Sequence, residues 1–429
     1  MLLRMNKTCL VWVVSCVACC GLSFAQGGWP QFRGPQGNGA VAAGARLPLR
    51  WSETENVRWK TAIPHLGWST PAVLDGRIWV TSATTNGQDY FAFSVDAKTG
   101  QILKEKRLFH CDTPEPLGNA VNAYASPSPA IEPGRVYVHF GTYGTACLNA
   151  ATGEELWRRE DLKCRHYRGP GSSAILYKDL LILTFDGVDV QYVTALDKRT
   201  GQTVWKTDRA IQWTDLDEKG QPKRDGDFRK GFATPLVIEA AGKEQLISPA
   251  SSMLFAYEPA TGKELWRARN AAYTPAVSPV FADGLVFAVT GHGAAETWGV
   301  RPDGAGDVTD SHVAWRVTGK DVPLTPSPVV VNGLLYMLAD HGALTCLEAT
   351  SGKTVWREMI GGSYLASPIQ DGQRIYFFGN SGKTTVIRAG RTYEKLAESK
   401  LAGSFMASPA VDGDALILRT KTHLYRIAE

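Results

Sequence analysis

The chain has 429 residues, 44% hydrophobic and 21% charged, with 46 basic and 42 acidic residues for a formal charge of +4. Such apolar content belongs to a folded globular protein and excludes a disordered chain, while the small charge excess gives no indication of nucleic acid or anionic lipid as a partner. Length alone suggests two or three domains, but internal repetition overrides that count.

At the start, Arg4 and Lys7 precede the apolar run CLVWVVSCVACCGL (9–22), and SFA ends at Ala25. Residues 1–25 thus have the layout of a secretory signal peptide, with an apolar run too short for a comfortable membrane span. A lipoprotein leader is the weaker alternative, because Cys19 and Cys20 follow small residues but the flanking pattern is poor. Loss of the leader takes Arg4 and Lys7 with it and brings the charge from +4 to +2. A periplasmic or secreted chain without a transmembrane segment is expected, in a compartment where disulfides are allowed. Residues 26–55 are rich in Gly and Pro and read as an extended strap anchored by Trp29 and Phe32.

From residue 56 onward two signals alternate. The first is Ser-Pro or Thr-Pro opening an apolar run broken by a turn, as in STPAVLDGRIWV (69–80), SPAIEPGRVYV (128–138) and SPVVVNGLLYM (327–337). Eight such runs occur, roughly 40–60 residues apart, one of them (SSAILYKDLLIL, 172–183) without its Pro. Pro is tolerated at the first position of a strand, and Asp-Gly or Asn-Gly makes the hairpin turn. The second signal is an acid or amide, then Thr-Gly or Ser-Gly, then Trp: NAATGEELW (149–157), DKRTGQTVW (197–205), EPATGKELW (258–266) and EATSGKTVW (348–356), with DAKTGQILK (96–104) as a worn copy. The glycines Gly153, Gly201, Gly262 and Gly352 suit positive-φ turns, and the following strand carries the Trp.

Four short strands per unit predict an all-β, eight-bladed β-propeller of four-stranded antiparallel blades over residues 56–429. Fourth strands number seven, and the last unit ends without one. NVRWKT (56–61), with its own Trp59, is the strand that closes the ring. Trp59, Trp157, Trp205, Trp266, Trp315 and Trp356 are read as rings docked between blades, each followed by Lys or Arg. Adjacent strand residues point to opposite faces, so the Trp goes in and the cation goes out, which argues against nucleic-acid binding.

The repeat resembles the tryptophan-docking motif of the PQQ (pyrroloquinoline quinone) repeat propellers, a family that includes quinoprotein alcohol dehydrogenases and BamB-like exported proteins. The resemblance covers nearly the whole chain after the leader. It implies the fold; for function it implies either a scaffold that grips protein, peptide or glycan partners, or an enzyme. A PQQ cofactor with Ca²⁺ is implied by resemblance alone, and the adjacent-cysteine pair that accompanies it in the dehydrogenases occurs here only at Cys19-Cys20, inside the leader.

The topology puts the second-to-third strand turns and the blade connectors on one face around the channel. His110, Tyr143, His166, Arg168, Asp186, Asp189, His292 and His341 are the candidate ligand-binding residues there. His166, Arg168, Asp186 and Asp189 suit either acid–base and anion chemistry or a structural hydrogen-bond network. Cys147 and Cys346 fill the small-residue slot of the repeat and read as packing thiols. Cys111 and Cys164 are either a disulfide or two free thiols, and a zinc set with His110 and His166 is a weaker option. Asp215, Asp217, Asp225 and Asp227 of the charged stretch 212–231 fail as a calcium loop, because Lys219 and Gly226 stand at ligand positions, and the stretch reads as a solvated insertion. No metal site and no nucleophile motif is assigned. The reading is therefore a monomeric, non-enzymatic binding propeller, with an oxidoreductase-like, hydrolase or lyase enzyme on the same face as the alternative.

Overall fold

The computed structural model describes residues 28–429, so the predicted leader lies outside the described residues. Eight antiparallel sheets follow one another in chain order. The first is built from Ala72–Leu74, Arg77–Ala83, Asp89–Asp96 and Ile102–His110. The eighth joins Ala410–Asp412, Ala415–Arg419 and His423–Ile427 to Val57–Ala62. Val57 pairs with Ile427 and Ala62 with His423, so the ring closes as the missing fourth strand required. One blade departs from the expected four strands. The fourth takes a fifth, Gly306–Asp307, parallel to the edge strand Glu264–Arg269. That edge is covered by the chain itself, the remedy that lysines and arginines supply elsewhere.

The repeat motif explains itself atom by atom. Asp96, Asn149 and Asp197 each use Oδ1 to accept two backbone N–H groups of the turn that follows. Such side-chain caps hold the chain in the turn and leave the Gly to take the left-handed φ. Where an outer strand carries a Trp, the ring docks on the next blade, and Trp59, Trp157, Trp205 and Trp315 lie over Gly100, Gly201, Gly262 and Gly352. The indole Nε1 donates to a carbonyl of that blade: Trp59 to Ala97, Trp157 to Lys198, Trp205 to Pro259, Trp315 to Ala349 and Trp356 to Gly390, at 3.0–3.1 Å. A Cβ on Gly201 would stand 2.7 Å from the Trp157 ring, and one on Gly262 2.4 Å from the Trp205 ring. In the worn copy Lys104 takes the place of Trp, and Gly153 meets only its aliphatic stem. Trp266 is the exception. Its Nε1 donates to Gln245 Oε1, and Gln245 Nε2 passes the link to the Pro302 carbonyl of the fifth blade.

Across the strand pair each Trp faces the small residue: Ala195 opposite Trp205, Cys147 opposite Trp157, Cys346 opposite Trp356. Both cysteines are fully buried, as packing thiols should be. The core is thus distributed between blades, with clusters that each join neighbouring sheets. The cluster around the closure also takes in Trp29, Leu47 and Trp51 of the strap.

Candidate functional site

The strap sets the floor of the site. Trp29 bridges Val73, the Pro30 carbonyl accepts the Ile131 N–H, and Val41 donates to Gln370. Residues 29–41 therefore cross the channel alongside the innermost strands. Arg33, 2% exposed, locks this crossing: its guanidinium donates to the carbonyls of Gly37, Asn38 and, at 2.6 Å, Pro328 of the sixth blade. With only carbonyl dipoles around it, burial lowers its pKa to about 9.

The Ser-Pro and Thr-Pro signals form the wall. At six of the eight blade junctions the residue before the Pro, or before Ala174 in the third unit, presents its hydroxyl oxygen to the corresponding N–H of the preceding blade. Thr70 N–H donates to Ser128, Ser128 to Ser173, Ser173 to Thr234, Ser278 to Ser327, Ser327 to Ser367 and Ser367 to Ser408, at 2.9–3.1 Å. Thr70 and Ser278, whose hydroxyls would complete the two missing steps, are buried without a partner among the described residues. A hydroxyl that accepts from an N–H still has its proton to give.

Above this ring lies a cavity of about 560 Å³, to which the connectors of all eight blades contribute. Phe32 of the strap reaches it from below, and Trp68, Phe232 and Tyr273 add aromatic rings from three connectors to its lining. Asn119, Val121 and Asn122 come from the connector between the first and second blades, and Arg224, Asp227 and Lys230 from the stretch between the third and fourth.

That second stretch, expected to be a solvated insertion, is partly built into the structure. Asp215 and Arg229 form an ion pair at 2.6 Å, and Lys230 is 1% exposed. Lys230 Nζ contacts the Asp227 carboxylate and donates to the Asp227 carbonyl at 3.1 Å. Arg168 grips the same carboxylate with two N–H groups at 3.2 and 3.1 Å. One carboxylate shared by two cations does not offset the burial of the ammonium. Desolvation and the Arg168 charge bring the Lys230 pKa down to about 7.

Of the eight candidate residues, Arg168 and His292 line this cavity. His292 stacks near the Tyr273 ring; burial holds its pKa below the ordinary value, Lys230 and Arg168 push the same way and Asp340 opposes them. The other six have partners elsewhere. His110 sits between Asp89 and Asp112 on an exposed edge, which raises its pKa. Tyr143 is buried among Tyr90, Tyr124 and Phe140 in the interface of the first two blades. Asp186 holds Arg209 in a buried two-point pair at 2.6 and 2.9 Å, and Arg209 continues to Ser248 of the next blade. Asp189 accepts from the N–H groups of Arg165 and Val190, and His341 faces Asp321 in solvent. His166 accepts the Thr142 N–H, and burial lowers its pKa to about 4.

The disulfide alternative is not realised: Cys111 and Cys164 are free thiols. Cys164 is buried with Sγ 3.6 Å from the His166 ring, while Cys111 packs against the core of the first two blades. Nor do His110, Cys111, Cys164 and His166 gather. Among the described residues there is no group of three or more His, Cys, Asp or Glu placed to hold a metal ion.

Closed blades, docked indoles and a blind channel define a propeller of the PQQ-repeat class. The chain belongs to the family described as outer membrane protein assembly factor BamB, whose model matches residues 24–160, 115–206 and 189–429. No curated protein matches it in sequence. Among solved structures it is similar to quinohemoprotein alcohol dehydrogenase from Comamonas testosteroni, with 14% identity, TM-score 0.66, and coverage of 93% of this chain and 80% of that one. It is also similar to BamB from Moraxella catarrhalis, with 12% identity, TM-score 0.58, and coverage of 86% and 99%. A europium-containing methanol dehydrogenase gives 12% identity, TM-score 0.64, and coverage of 94% and 89%. At such identities the likeness is one of fold. No helix among the described residues is long and apolar enough to cross a membrane.

Proposed function

We propose that this chain is an exported, non-enzymatic binding propeller that holds a protein, peptide or glycan partner on its connector face, with one group of the partner seated in the channel cavity. The observation that carries the reading is the convergence of all eight connectors on a cavity that the chain's own Phe32 closes from below. Concave, partly aromatic sites with a few placed polar groups are where ligands bind. Acid–base catalysis would need a base held by an orienting partner, but the His292 ring makes no side-chain hydrogen bond among the described residues, and Asp227 is committed to two cations.

The quinone arrangement implied by the resemblance does not fit the residues present. Asp340 Oδ2 accepts the Leu324 N–H, Asn122 Oδ1 accepts from Ala123 and Ser126, and Asn119 Oδ1 accepts from Val121. With Asp227 also engaged, each of these side chains is already held by protein donors, although Asp340 keeps Oδ1, and none of the four free cysteines among the described residues lines the cavity. BamB, one of the similar structures, is an assembly factor by name, and that role supports a scaffold here.

The experiment compares the wild-type chain with Ala276→Trp, which fills the cavity from its wall. The reading expects a partner purified with the wild type from the exported fraction to be released by the variant. Dye-linked turnover after reconstitution with PQQ and Ca²⁺ would overturn it.

A further inference from the structure

The polar groups of the cavity are unequally divided between donors and acceptors. Ser128, Ser173, Thr234, Ser367 and Ser408 each spend a lone pair on, or stand ready for, a neighbouring N–H, and none donates its own proton to a protein acceptor among the described residues. Arg224 rests on the Phe228 ring at 5.1 Å and has no carboxylate partner among the described residues. Arg168 and Lys230 divide one carboxylate between them. Among the described residues Asp227 and Asp340 are the only carboxylates in the lining, against three cations. Two cations on one carboxylate leave a positive charge in a buried setting, where an incoming anion gains more than it would in water.

Resting on the reading of this cavity as a binding site, we propose that it takes an anionic group of the carboxylate or phosphate type, and that binding draws a proton onto Lys230. The groups facing Lys230 are Asp227 and Arg168, with the Tyr167 and Phe232 rings beside it and His292 and Asp340 across the cavity. An anion within reach supplies the counter-charge that Asp227 alone does not. The protonated amine is then favoured in the complex, although near pH 7 only about half of it is charged in the free protein. An affinity that needs the charged form weakens in proportion to its population. Above neutrality it therefore falls as pH rises, by roughly thirtyfold between about pH 6 and about pH 8.5.

The test is calorimetric titration of the intact protein with glutarate, with inorganic phosphate, and with a capped Ala-Glu-Ala peptide beside its Ala-Gln-Ala counterpart, in buffers of different ionisation enthalpy. The proposal expects net proton uptake with glutarate, loss of the pH dependence in Lys230→Arg with binding retained, and weaker binding in the surface-loop variant Arg224→Gln. Asp340→Asn tightens binding, and His292→Gln leaves the pH profile in place. Glutarate, phosphate and the Glu peptide distinguish a free organic acid, a phosphate and a peptide side chain as the source. Equal binding of the Glu and Gln peptides overturns the anionic assignment and leaves the binding site standing. A glutarate affinity indifferent to pH overturns the role of Lys230. No binding by any probe, together with a partner that still holds to Ala276→Trp, removes the site itself.

Discussion

Asp186 shows how far a residue's chemistry can be read before its neighbours are known. A carboxylate two residues from a turn on the channel face suits anion or acid–base chemistry, yet its partner is Arg209 from a distant strand end, and the pair joins the third blade to the fourth. Asp186→Asn strands a buried guanidinium and should cost about 3–5 kcal/mol in denaturant unfolding. Lys230 is the opposite case. It hides in the charged run QPKRDGDFRKG, which reads as solvated, and only the fold shows its ammonium enclosed. The buried histidines carry a pH signature. Burial lowers His139 to about 3 and His166 to about 4, below the ordinary value near 6.5. The unfolded chain therefore binds protons that the folded one refuses as pH falls below about 6.5. Each neutral histidine then takes about 1.4 kcal/mol of stability per pH unit until its folded pKa is reached. His139→Gln should flatten the stability slope between about pH 6 and 5 by that amount, measured by urea titration at each pH.

At the scale of the blade, the docking motif separates two costs that usually arrive together. Gly153 and Gly262 both sit at φ +73°, so alanine pays the same left-handed penalty of about 1–2 kcal/mol at each. At Gly153 the new methyl lies 3.4 Å from the flexible Lys104 stem, whereas at Gly262 it lies 2.4 Å from the Trp205 ring. Gly262→Ala should therefore exceed Gly153→Ala by a further 1–3 kcal/mol, roughly the cost of overpacking, in paired unfolding curves. This regularity made the blades legible in the sequence, since a two-residue turn, a Gly and a ring recur at fixed spacing. The added strand at Gly306–Asp307 was not legible, because two residues carry no periodicity. The course of the strap was legible only as far as its anchors, Trp29 and Phe32. Its bonds run to Val73, Ile131, Pro328 and Gln370, which are far apart in the chain. The face around the channel was legible, with Arg168 and His292 on it, but the rest of the lining was not, because it comes from eight separate connectors and spacing within any one of them says nothing about the others.

For the molecule as a whole, ring closure and the blind channel make separable predictions. Deleting 56–62 leaves the eighth sheet with three strands and removes Trp59 from its seat on Gly100. Thermal stability should fall sharply, and a synthetic peptide of those residues should restore it in a concentration-dependent way. Replacing Phe32 with Ala should leave melting nearly unchanged while widening the bottom of the cavity, which a bulkier cavity-binding probe would report. Closure also has a temporal side. Val57–Ala62 leaves the ribosome before seven complete sheets, and its mate His423–Ile427 only after them. The opening segment must therefore wait, unmatched, through the synthesis of seven intervening sheets. Loss of His423–Ile427 alone would orphan both partners of the closure at once, a larger injury than five residues suggest.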